Sequence, residues 1–333
     1  MWGAIFPGQG SQSVGMGRFL YDEFSTARQL FEEASDTLKQ DFRKLCFEGP
    51  ESDLQLTENT QPALLLVSTV TYRVVTNELP LQIQKASGHS VGEYAALVAS
   101  GVLRFNEALV AVRRRGQAMQ AAVPVGEGAM AAILGMSDDQ VEKLCSALGE
   151  HLQATGQTGC LEPANFNCPG QVVVSGSASA LATLKEIATP TWLEQVFGSN
   201  APRLKMIPLN VSAPFHCSLM KPAEDVMREF LGSLEFQPPR FPVVQNLKAE
   251  ATSNSQLIRE WLTGQISGTV RWTQCQQNLN LTCQQFVEMG GGKVLAGLGK
   301  KIDPTKPIHN LNSLEDLKAL EQSLKRLETE EAQ

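Results

Sequence analysis

The chain has no CxxC pair, no basic excess, no apolar run of membrane length and only four histidines, and each shortage excludes something. Its seven cysteines, at 46, 145, 160, 168, 217, 275 and 283, are odd in number and scattered without metal-ligand spacing. That pattern fits a reducing, cytoplasmic setting better than a disulfide framework, and no metal site is expected. Lysine and arginine total 28 against 35 acidic residues, a net charge of −7, so broad nucleic-acid binding is not expected. No stretch approaches the length of a membrane span. The opening "MWGAIFPGQGSQ" lacks a basic segment and breaks at Pro7, so a secretory signal is not expected either.

What is present is ordinary for a globular protein: 333 residues, 42% hydrophobic and 19% charged. "WGAIF" reads as a buried strand ended by Pro7-Gly8, and helix-like stretches follow at 25–40 and 60–78. "LQIQKAS" alternates as a strand and runs into Gly88, after which "VGEYAALVASGVL" continues as a helix. From about residue 124 the texture changes. "EGAMAAILGM", "QVVVSGS" and "RLKMIPLNV" read as strands, and 137–152 reads as a helix capped by Ser137, with another helix at 177–187. The β-α-β-β-α-β order predicts a small two-layer unit over 124–207, inserted in a larger α/β core of 1–123 and 208–303. "FPVVQNL" and "QQFVEM" add core strands, and 304–333 reads as a C-terminal surface helix or tail with a frayed tip.

"GHSVGEY" places Ser90 between Gly88 and Gly92, at a strand, sharp turn and helix. This is the setting of a nucleophile elbow, although the pattern alone also suits an ordinary tight turn. A serine hydroxyl needs a base to take its proton. His89 adjoins Ser90, and neighbouring side chains diverge around a sharp turn. His151 lies in a polar helix end and His309 in the terminal "KPIHNL", whereas His216 in "APFHCSLMKPAEDVM" sits where a strand gives way to a helix. Its roles as base and as a satisfied core or capping residue both stand open on spacing alone. The Val91 amide opens the following helix and would face an oxyanion, with "FPGQGSQ" the source of a second donor.

In the helix over 105–122, Arg115 lies on the same face as Phe105, Ala108, Val112, Gly116 and Met119. A guanidinium on an apolar stripe must meet an anion. Either an internal carboxylate supplies it, or Arg115 grips a substrate carboxylate as a two-pronged fork. "VEMGGGKVLAGLGKK" departs from the P-loop pattern and reads as a close strand-to-helix turn.

The ordered set "FPGQGSQ", "GHSVGEY", "VRRRGQAMQ", "NFNCPGQVVVSG", "PFHCSLMKPA", "VRWT" and "GGGKVLAGL" resembles the malonyl-CoA:acyl carrier protein transacylase family from residue 3 to about 302. The resemblance implies an α/β-hydrolase-like core with a parallel sheet and an inserted ferredoxin-like α+β subdomain. It implies transfer of a malonyl group from malonyl-CoA to acyl carrier protein, for fatty-acid elongation, through an ester on Ser90. His216 would be the base, oriented by the Gln265 backbone carbonyl, and the amides of Gln9 and Val91 would form the oxyanion hole. Arg115 would bind the malonyl carboxylate, and Gln61, Phe215 and His89 would line the acyl pocket. No cofactor is implied, and a monomer is expected. Lys293, Lys300 and Lys301 would lie on the rim that meets the carrier. A malonyl supplier to a polyketide synthase, an acyl-carrier hydrolase of the same fold and an inactive carrier-binding scaffold are the alternatives. Gly291 and Thr269 stand where the family commonly has proline, and 152–162 and 189–203 look longer than usual.

Overall fold

Ten strands form two sheets in the computed structural model, which describes residues 1–331, with side chains described through residue 326. In chain order they are β1 (Trp2–Phe6), β2 (Ile83–Gly88), β3 (Gly128–Leu134), β4 (Leu161–Cys168), β5 (Gln171–Ser177), β6 (Lys205–Pro208), β7 (Val243–Gln245), β8 (Glu250–Ala251), β9 (Gln285–Glu288) and β10 (Ile308–Asn310). The main sheet runs β10-β9-β1-β2-β7-β8, parallel except for β8. β1 is buried along its whole length, which explains why it reads as an unbroken apolar run with no alternation. Helices cover it, the most buried being Thr57–Glu78 and the short Gly92–Ala99 that leaves β2.

The second sheet is antiparallel, in the order β4-β5-β3-β6. With the helices Asp138–Ala154 and Ala178–Ile187 it has the ferredoxin-like arrangement. Ser137 caps the first of these in a full capping box with Gln140. This sheet has its own apolar core, including Ile133, Leu144, Leu148, Phe166, Val172 and Leu184. The 189–203 stretch forms the helix Pro190–Phe197, which buries Leu193 in that core.

The two sheets are stitched together. Val270 donates its N–H to Ala164 O at 2.8 Å and accepts from Phe166 N at 3.0 Å, pairing its segment with β4. Thr269 donates its hydroxyl to Pro163 O at 2.7 Å, a bond that a proline at this position would lack.

One expectation is corrected. Residues 304–333 do not form only a surface helix or tail: Ile308–Asn310 is an edge strand of the main sheet, and Leu317 and Leu320 of the helix Leu314–Glu331 are buried in the main core. Three residues are too few for alternation to show in "IHN", and Asn310 is held in place by a carboxylate, Glu288, that the sequence does not pair with it. The frayed tip, at 332–333, lies outside the described residues. No helix among the described residues is long and apolar enough to cross a membrane.

Candidate active site

β2 ends at Gly88 and the helix begins at Gly92, leaving a turn too tight for side chains on either glycine. A Cβ on Gly88 would lie 2.0 Å from the Gly92 carbonyl, and one on Gly92 would lie 2.2 Å from Phe6 O. Between them Ser90 takes φ 52°, a left-handed conformation that costs a non-glycine residue about 1–2 kcal/mol. Local bonds hold it there. Ser90 N donates to Asn246 Oδ1 at 2.7 Å, and Gly92 N donates to His89 O at 2.9 Å. The Asn246 amide also donates to Gly88 O at 2.8 Å, so one side chain clamps both flanks of the turn. Ser90 therefore sits on a strained nucleophile elbow.

The histidine that the sequence offers as base lies beside Ser90. His216 also has a left-handed backbone, φ 60°, and its Nε2 lies 2.7 Å from Ser90 Oγ. Its Nδ1 lies 2.8 Å from the backbone oxygen of Gln265. A carbonyl only accepts, so Nδ1 carries the proton and Nε2 is left free to accept one from the serine. Burial and then the nearby Arg115 charge push the His216 pKa down to about 3, against which the Gln265 carbonyl acts only in part. The imidazole is thus neutral at physiological pH, as a general base requires. The segment bearing Gln265 is anchored two residues on, where the Ser267 hydroxyl donates to Glu224 at the start of the helix Lys221–Gly232.

Arg115 is 1% exposed, and Arg113 and Arg114 beside it are not buried. Its guanidinium donates to Gln61 Oε1 at 2.9 Å, to Gln265 Oε1 at 3.0 Å and to Ser90 Oγ at 3.1 Å. All three partners are neutral. The ion pairs among the described residues do not include Arg115, so the internal-carboxylate alternative is not what the fold builds. Burial lowers its pKa, while Tyr94 and the buried Glu93 act in the other direction. A guanidinium kept dry, without a carboxylate partner and within reach of the nucleophile has the chemistry to receive an anion attached to that serine.

The loop after β1 packs on the elbow: a Cβ on Gly8 would meet His89 O at 2.5 Å. The bonds of these turns bypass the Gln9 and Val91 amides. Ser11 N goes to Gly8 O and Gly10 N to Gln12 Oε1, and the helix bonds begin at Gly92 N. Phe215, directly before the base, is buried in the main core. His89 turns to the small sheet, with its Nε2 2.9 Å from Asn167 Oδ1 and its ring 5.6 Å from Trp272. Gln61 Nε2 also lies 3.9 Å from Met119 Sδ. Lys293, Lys300 and Lys301 are exposed at the two ends of the helix Val294–Ile302, whose start is held by the Glu288 carboxylate.

Three residues of this network escaped the sequence reading: Asn246, Glu93 and Asn167. Asn246 had a usable signal, since it directly follows a buried parallel strand, where site residues of α/β sheets gather. Glu93 lies one turn from the nucleophile yet is fully buried, in a helix whose length gave no amphipathic pattern. No group of three or more potential metal ligands occurs among the described residues.

The comparisons agree with this geometry. Residues 4–291 match the acyl transferase domain family. The malonyl CoA-acyl carrier protein transacylase of Bacillus subtilis is 39% identical over 303 residues, 90% of this chain and 89% of that protein. The crystal structure of the transacylase of the same name from Clostridium perfringens superposes with TM-score 0.90 at 32% identity, covering 100% of this chain and 99% of the other. A type II polyketide-synthase acyl-carrier protein in complex with its malonyl-transacylase gives 0.86 at 38% identity, covering 97% of this chain and 99% of that one. On this coverage and identity, and with a serine-histidine pair at its elbow, the chain is an acyltransferase and belongs to the malonyl CoA-acyl carrier protein transacylase family.

Proposed function

We propose that the protein moves a malonyl group from malonyl-CoA to the phosphopantetheine thiol of acyl carrier protein through an ester on Ser90, supplying fatty-acid elongation. The observation that carries this reading is Arg115, a buried cation with only neutral partners, 3.1 Å from the nucleophile. In the first half, His216 Nε2 takes the Ser90 proton while Oγ attacks the thioester carbonyl. The tetrahedral oxygen is met by the amides of Gln9 and Val91. As the intermediate collapses, the C–S bond breaks and His216 returns the proton to the departing CoA thiol. In the second half, His216 takes the proton of the carrier thiol, whose sulfur attacks the acyl-serine; the C–O bond then breaks and His216 gives that proton to Ser90 Oγ.

Arg115 acts on both the acyl group and the base. The malonyl carboxylate, one methylene from the ester carbonyl, pairs with the guanidinium and cancels the charge that depresses His216. Malonyl therefore strengthens its own base as it binds, and an acyl group without a carboxylate does not. Gln61, Phe215 and His89 bound the acyl pocket, and Phe215 crowds an α-methyl branch, a discrimination worth about 1–3 kcal/mol. The reaction as proposed needs no metal or redox cofactor. Lys293, Lys300 and Lys301 are proposed to meet the acidic carrier, and the enzyme to work as a cytoplasmic monomer. The polyketide relative favours a second reading, in which the carrier belongs to a polyketide synthase.

Intact-protein mass spectrometry after brief mixing with malonyl-CoA, followed by holo acyl carrier protein, tests the proposal. A malonyl adduct that is absent in Ser90→Ala and passes to the carrier is expected. An adduct that decays to malonate at the same rate with or without carrier would make the protein a hydrolase.

A further inference from the structure

Glu93 is a carboxylate with no exposed surface, and the ion pairs among the described residues do not include it. Keeping such a group in the interior is costly unless several donors hold it. Three do. Oε2 accepts from Asn246 N at 2.7 Å and from the Gln265 side-chain amide at 3.0 Å, and Oε1 accepts from the Gln245 side-chain amide at 3.0 Å. Two of these partners, Asn246 and Gln265, lead to the reacting groups, while the Gln245 amide also donates to Ile258 O. The Asn246 side chain accepts from Ser90 N, and the Gln265 backbone carbonyl accepts from His216 Nδ1. The Gln265 side-chain oxygen accepts from Arg115.

The Gln265 amide makes this arrangement directional. One end must donate and the other must accept. A carboxylate on one side and a guanidinium on the other permit a single orientation, with Nε2 toward Glu93 and Oε1 toward Arg115. Were the amide reversed, an N–H would face the cation. Glu93 acts on Arg115 after Tyr94 and is reached through that one amide; burial raises the Glu93 pKa, and its three donors and then Arg115 oppose that shift.

We propose that Glu93 is a positioning residue that, by fixing the Gln265 amide and the Asn246 backbone, sets the aim of His216 at Ser90 and of Arg115 at the acyl carboxylate. The inference rests on the malonyl-transfer reading for its second half only. An uncharged residue of equal size would fill the same space, so a purely structural role would not need the charge.

The test uses the full chain and two rates. A fluorophosphonate probe, which labels activated serines whatever the natural acyl group, reads the Ser90–His216 pair. The ratio of malonyl-CoA to acetyl-CoA loading reads Arg115. Glu93→Gln removes the charge and one acceptor, and is expected to slow labelling and lower the ratio by about tenfold each, the worth of one charge-assisted hydrogen bond. Glu93→Asp, which restores the charge, is expected to recover part of both. Gln265→Leu keeps the backbone carbonyl and is expected to lower the ratio as Glu93→Gln does, so it serves if Glu93→Gln does not fold. The proposal is overturned if folded Glu93→Gln keeps both rates within about twofold of wild type, or if Gln265→Leu keeps the malonyl-to-acetyl ratio. Wild-type protein that is labelled by the probe but takes no malonyl refutes the malonyl reading alone, and the labelling rates still decide the role of Glu93.

Discussion

Replacing Arg115 by alanine separates the two things a buried guanidinium does. It removes three hydrogen bonds donated to neutral oxygens of Gln61, Gln265 and Ser90, and with them a cation bonded to the nucleophile. For an acyl group that carries a carboxylate, the variant must bury that charge without a partner. Truncating one side of a buried, hydrogen-bonded charge pair costs about 2–5 kcal/mol, which corresponds to a loss of about 30-fold to a few thousand-fold in kcat/KM. For acetyl-CoA no such term exists. Removing the charge also relieves the second-largest influence depressing His216, so acetyl loading is expected to hold or rise. Rapid-quench loading of both thioesters, with product read by intact mass, gives the ratio directly. Arg115→Lys, which keeps the charge but loses the fork, should fall between the two. A malonyl-to-acetyl ratio in Arg115→Ala equal to that of the wild type would refute the reasoning, because the carboxylate would then be bound elsewhere.

Four further outcomes are expected. With the His216 pKa pushed down to about 3, kcat/KM for loading should stay flat from pH 8 to about 5, where an ordinary imidazole would already have lost most of its base form. The same shift opposes stability in acid: folded His216 resists the proton that the unfolded chain takes up, so its contribution is full above 6.5 and falls by about 1.4 kcal/mol per pH unit toward 3, measurable by denaturation at stepped pH. Gly92→Ala forces a Cβ to within 2.2 Å of Phe6 O and should cost about 1–3 kcal/mol or more in urea unfolding while abolishing the acyl adduct. Thr269→Val removes the donor to Pro163 O and should cost about 0.5–1.5 kcal/mol with the malonyl-to-acetyl ratio unchanged.

The elbow was legible because its steric demand is local: two glycines around a serine, between a strand and a helix, leave a signature within five residues. Arg115 was legible because a helix face is periodic, and a cation on the apolar face stands out. His216 became visible by elimination among four histidines, though spacing alone left its role open. The Gln265 carbonyl carries no side-chain signal at all and was found only through the family resemblance. Asn246 and Glu93 were missed for a different reason. Their work is done between segments more than 150 residues apart, and no local pattern encodes which buried polar group meets which. β10 was missed because three residues at a sheet edge take their conformation from β9 rather than from their own sequence.

The seam between Val270 and β4 bears on how this protein can be rebuilt. A chimaera that exchanges residues 124–207 for those of a relative looks like the swap of a self-contained module, since that unit has its own core. The seam makes it a two-piece graft instead. The donor's β4 has to match the host's 268–272 segment in register, and that segment begins three residues after the carbonyl that steers His216. A transplant cut only at the two chain crossings would disturb the base without altering any reacting residue. One that carries 268–272 along with the small sheet would move β4 and its partner segment together, including Asn167, which meets His89.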